Sequence, residues 1–100
     1  MNRTADDSRP LFTPKQGQYL AFIHAYTLIN ARPPAEADMA RFFGVTPPTV
    51  HQMVLALESA GLVSRQPEAS RTIAILVDQS ALPALQPGQN QPVKTSVTRY

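Results

Sequence analysis

Three helical segments set apart by proline and glycine breaks, closed by a short β-branched run that returns from a polar turn, predict a mainly α fold with a small β-hairpin. In that order they make a winged helix-turn-helix, three helices plus wing. Gly44 to Leu76 weighs most, because it runs as turn, helix, turn and ribbon without a gap.

The first helix is announced by Thr13, Pro14 and Gln16: a hydroxyl cap, proline at the first helical position and the glutamine of a capping box. Tyr19, Leu20, Ile23, Tyr26, Thr27 and Leu28 then trace a stripe of 3/4 spacing as far as about Asn30. Pro33 and Pro34 break it. Glu36 to Phe43 forms a short second helix with Met39, Ala40 and Phe43 inward, stopped at Gly44. Thr46 is placed to cap a third helix begun by Pro47 or Pro48, with Val50, Val54 and Leu57 on its inner face and Gly61 at its left-handed end. Leu62, Val63 and Arg65 lead into the turn-rich segment from Pro67 to Ser70, and Thr72 to Leu76 return as a β-branched strand. The expected core is Leu20, Ile23, Met39, Ala40, Phe43, Val50, Val54, Leu57, Leu62, Val63 and Ile73. Residues 1–10 read as a flexible arm, 11–77 as the domain, and 78–100 as a Pro/Gln-rich tail expected to be disordered.

A chain of 100 residues has room for one domain, and folding hides roughly 60 to 70% of a chain this short. With no cysteine, neither a disulfide nor a thiolate ligand or nucleophile is available. His24 and His51 lack the neighbours of a metal site, and Ser70 and Asp78 lack the context of a nucleophile, so no metal, cofactor, small-molecule substrate or enzymatic activity is expected. No stretch approaches a membrane span and the first ten residues lack an apolar leader, which predicts a cytoplasmic, nucleoid-associated protein with no membrane partner. The net charge of +2 is too small for a nonspecific polyanion binder.

With these elements placed, Phe12 to Leu76 resembles the N-terminal DNA-binding domain of the LexA repressor family. The likeness rests on Phe12-Thr13-Pro14-Lys15-Gln16, Phe22-Ile23, Pro33-Pro34, Asp38 to Gly44, Ala56 to Val63, and Ser70-Arg71-Thr72-Ile73, in that order and spacing. Two departures stand out: Ala35 occupies a capping position usually held by Thr, and Ala60 a position often held by Lys. The family's self-cleaving C-terminal domain has no counterpart among these residues, so the resemblance implies operator binding by a repressor-type regulator and not self-cleavage.

On that reading the outward positions of the third helix are the base readers. Thr49, His51 and Gln52 carry the specificity, with Gln52 suited to adenine and His51 to a phosphate or guanine. Lys15, Arg41, Thr46, Arg65, Ser70 and Arg71 are expected on the DNA backbone. From Thr13 to Leu76 five cations face four anions, so a lone domain should bind double-stranded DNA weakly, and a homodimer on two half-sites, joined through Met1 to Phe12 or Ser80 to Tyr100, would strengthen it. The balanced charge also keeps a rival open: a winged-helix module for protein–protein contact without specific DNA binding. A basic surface around Thr49, His51, Arg65 and Arg71 would favour DNA; an exposed apolar patch of roughly several hundred Å2 would favour a protein.

Overall fold

The computed structural model describes residues 11–87. Helix α1 (Pro14–Asn30) begins as its sequence requires: Gln16 N donates to Thr13 Oγ1 at 3.1 Å and Thr13 N donates back to Gln16 Oε1 at 3.0 Å. It ends at Ala31, whose φ of 60° is left-handed and whose N–H closes on Thr27 O at 2.9 Å. Leu28, expected on the inner stripe, is 71% exposed, because by the last turn α1 has run past the layer beneath it.

Helix α2 (Glu36–Phe43) starts at Ala35, which has no side-chain oxygen to offer. The Asp38 carboxylate closes this end instead, accepting Ala35 N–H at 2.9 Å, so the acidic half of a capping box works alone. Helix α3 (Pro47–Ser59) departs from expectation at its start: the Thr46 side chain makes no bond to the helix backbone, although its carbonyl accepts Val50 N–H at 3.2 Å. Pro47 and Pro48 have no N–H to give, and the Thr46 hydroxyl lies 2.9 Å from that of Thr49. Its end follows the sequence. Gly61 takes φ +77°, Gly61 N–H reaches Glu58 O at 3.0 Å and Leu62 N–H reaches Leu57 O at 2.9 Å, a Schellman closure.

The wing is shorter than its β-branched run suggests. Antiparallel strands β1 (Val63–Ser64) and β2 (Ala74–Ile75) pair Val63 with Ile75 and Ser64 with Ala74, and Leu76 N–H to Leu62 O at 2.8 Å extends the ladder. Thr72 organises the intervening loop: its hydroxyl accepts Gln66 N–H at 2.9 Å and donates to Ala69 O at 3.0 Å.

The core lies between α1, α2, α3 and the root of the wing. Every residue of the expected core is buried except Ala40, which is half-buried, and Tyr19 and Phe22 join them. Tyr19 stacks on Phe43 at 4.0 Å between ring centroids, and Phe22 packs against Phe42 at 4.6 Å, which locks α1 to α2.

The stretch read as the start of a disordered tail continues the domain as far as Pro87. A 3-10 turn (Gln79–Ala81) leads to Leu82 and Leu85, which pack on the core. Both ends of the Gln18 amide hold the strap near its close, donating to Ala84 O at 2.9 Å and accepting Gln86 N–H at 2.7 Å. Gly17 is where the strap crosses α1: a Cβ there would meet Phe12 at 3.0 Å and Pro83 at 3.1 Å. The expectations for residues 1–10 and 88–100 lie outside the described residues. Among those described, no helix is long and apolar enough to cross a membrane.

Leu57 is fully buried at the centre of this core. Leu57→Ala should lower unfolding free energy by about 2 to 5 kcal/mol, read from urea denaturation, through lost transfer energy and the cavity left behind. Ala31→Gly should act in the opposite direction by about 1 kcal/mol, because alanine is strained in the left-handed region.

Candidate nucleic-acid interface

Helix α3 buries Val50, Val54 and Leu57, and successive residues turn by about 100°, so its opposite face centres on Pro48, Gln52, Leu55 and Ser59. Thr49 and His51 stand on the two flanks of that face, both exposed. The polar residues named as base readers are therefore all on the solvent-facing surface of α3, Thr49 and Gln52 towards one groove and His51 towards the other. Leu55 was missed. It follows buried Val54 by one residue, which rotates it outward to 42% exposure, where its methyl groups are of the kind that meet a thymine methyl.

Two grooves flank the helix. On one side a depression of about 310 Å3 runs between α1 and α3, and Lys15, Thr49 and Gln52 share its walls. Thr46, at the entrance to α3, points its hydroxyl to the same edge through Thr49. On the other side a larger groove of about 460 Å3 separates α3 from the wing, lined by His51, Arg65, Ser70 and Arg71 together with Glu36. Arg41 borders neither.

The cations are less free than the sequence suggests. Arg65 Nε is held by Glu58 at 3.1 Å, Arg41 by Asp38 at 2.7 Å, and His51 Nδ1 by Glu36 at 3.1 Å. Arg71 is tied most tightly: it reaches Asp38 Oδ2 at 3.1 Å, donates to the Tyr26 hydroxyl at 3.0 Å and to Pro33 O at 3.4 Å, from a left-handed backbone with φ 58°. Its geometry is that of a brace joining the wing to α1 and α2. Lys15 makes no ion pair among the described residues. Arg65 uses only Nε of its donors there, which leaves its terminal nitrogens for a phosphate.

Asp38 is the anionic centre of this brace. Burial pushes its carboxyl upward, but the Ala35 N–H, the Arg71 charge, the Tyr26 hydroxyl and the Arg41 charge outweigh that and hold it below the usual carboxylate range. Neither Asp38 nor Glu36 was singled out as a site residue from sequence. Glu36 entered there only as the start of the second helix and Asp38 as the start of the Asp38 to Gly44 likeness, because the partners that give them a role, His51 and Arg71, lie far along the chain.

Helix-turn-helix, wing and a solvent-facing third helix between two grooves define a winged helix-turn-helix domain, the class in which such a helix is offered to a DNA groove. The family model for the LexA DNA binding domain matches residues 9–72, and the chain belongs to that family. It is similar to the LexA repressor of Thermosipho melanesiensis, 37% identical over 70 residues that make up 70% of this chain and 35% of that protein. To the LexA repressor of Thermosipho africanus it is 39% identical over 64 residues, 64% of this chain and 32% of the relative. The chain thus spans about a third of the length of these relatives.

The depressed Asp38 carboxyl sets a pH dependence. A native value below the unfolded one contributes stability that is present above about pH 4 and is lost as pH falls through the native value. Asp38→Asn should therefore be less stable than the parent near neutrality, and the gap should close on acidification below about pH 4, as followed by thermal unfolding across pH.

Proposed function

We propose that this chain is a sequence-specific double-stranded DNA-binding domain of a repressor-type regulator, with α3 in the major groove and the wing along the backbone. The observation that carries the reading is the exposed face of α3, where Thr49, His51 and Gln52 stand between a groove holding Lys15 and a groove holding Arg65 and Ser70, in a chain of the LexA DNA-binding family. Gln52 and Thr49 read base edges, Lys15 and Arg65 meet phosphates, and Thr46 and Ser70 add hydroxyl donors at the margins. Arg41 and Arg71 serve the backbone indirectly, by shaping α2 and the wing.

Charge explains why one domain is not enough. Cations and anions balance among the described residues, with Lys15, Arg32, Arg41, Arg65 and Arg71 against Glu36, Asp38, Glu58, Glu68 and Asp78. A monomer making about three to five phosphate contacts has a log–log salt slope of only about −3 to −5. Two copies on half-sites about one helical turn apart double the contacts, and we place a homodimer on the operator. A protein-contact role draws its support from neighbouring Leu28 and Ile29 at the end of α1, 71% and 80% exposed. That face lies on a different element from α3, so it fits subunit contact beside DNA binding.

Gln52→Ala should relax preference at one base pair, at about 1 to 3 kcal/mol on the best site. Lys15→Ala should weaken all sequences alike and flatten the salt slope by about one unit. Binding titrations on selected and random duplexes separate the two; equal losses on both duplexes for Gln52→Ala would contradict its assignment. Sedimentation on an inverted-repeat duplex should give two chains per site, and a strict one-to-one complex would refute the dimer.

A further inference from the structure

Glu36 opens α2 and His51 stands on the flank of α3, yet the two side chains meet: His51 Nδ1 lies 3.1 Å from Glu36 Oε2 and 3.3 Å from Oε1. Both are substantially exposed, 51% for His51 and 39% for Glu36, and an ion pair so placed contributes little to stability. Its consequence is chemical. A carboxylate only accepts, so the proton must sit on Nδ1, and the opposite edge of the ring, Nε2, is left for a ligand.

We propose that Glu36 is a positioning residue that decides what His51 reads. With its proton held on Nδ1, neutral His51 presents Nε2 as an acceptor, which matches the amino groups that cytosine and adenine display in the major groove. Protonated His51 presents Nε2–H as a donor, which matches guanine O6 and N7. One position of the bound sequence thus changes its preferred base with pH. The neutral state has the polarity opposite to the guanine or phosphate contact expected from sequence. The inference rests on α3 being the DNA-reading helix. The other charged groups around His51 come from the wing, Arg65, Glu68 and Arg71 in the shared groove, of which Arg65 is engaged by Glu58 and Arg71 by Asp38.

Selection of bound sequences from a random duplex pool tests this, run with the parent chain, Glu36→Gln, Glu36→Ala and His51→Ala at about pH 8.5 and about pH 5.5, either side of the range where imidazoles change charge. The parent should favour cytosine or adenine at one position at the higher pH and move towards guanine at the lower. His51→Ala should lose preference at that position at both. Glu36→Gln, whose amide donates to Nδ1 as readily as it accepts, and Glu36→Ala, which removes the partner, should each lose about two- to ten-fold of the high-pH discrimination there and leave other positions unchanged. Adding Glu36→Gln to His51→Ala should change nothing further. A parent chain that enriches no sequence overturns the DNA reading and this inference with it. A parent that enriches a site whose His51 position is read identically by the Glu36 variants, or identically at both pH values, overturns the inference alone.

Discussion

Among the described residues, the Asp38 carboxylate ties the start of α2 to the wing. It accepts the first N–H of α2 from Ala35, pairs with Arg41, and receives Arg71 from the wing, which in turn holds the Tyr26 hydroxyl and Pro33 O. A two-residue ladder cannot by itself set the angle of a hairpin. Ile73 and Val63 anchor the root of the wing in the core, and the Arg71 brace fixes where its loop stands relative to α2. The groove between α3 and the wing exists because that brace holds. A guanidinium suits the task, since its fork of donors satisfies a carboxylate, a hydroxyl and a carbonyl at once.

Much of this was legible in local chemistry. The capping box at Thr13 and Gln16, the stop at Gly61 and the inner stripe Val50, Val54 and Leu57 are short-range statements, and the helices begin and end where those residues require. Thr46 does not cap because its hydroxyl is engaged with that of Thr49 rather than with Thr49 N–H, the one cap donor that Pro47 and Pro48 leave. Leu28 reads as core by period alone, and only the end of the underlying layer exposes it.

What escaped the sequence is non-local. The strap from Asp78 to Pro87 has the composition of a linker, rich in proline and glutamine, and is held by Gln18 through bonds to residues 66 and 68 positions away. Arg71 reads as a phosphate ligand until Tyr26 and Pro33, 45 and 38 positions distant, are seen to claim it. The three polar residues proposed as base readers were chosen by side-chain type; Leu55 was open to the helical period of α3 alone, whereas Glu36 beside His51 is visible only once α2 and α3 are packed together.

Under the proposed function, the domain pairs most of its described charges internally and leaves a mostly polar helix face for recognition. Such a face discriminates by hydrogen-bond pattern and methyl contact rather than by attraction. Amide shift mapping by NMR, with the chain titrated by a duplex recovered from selection, tests this most directly. The largest changes should fall on Thr49, His51, Gln52 and Leu55, with smaller ones at Lys15 and across Arg65 to Ser70, while the end of α1 at Leu28 and Ile29 should change less than α3. Changes centred on that end of α1, with α3 unaffected, would contradict the account.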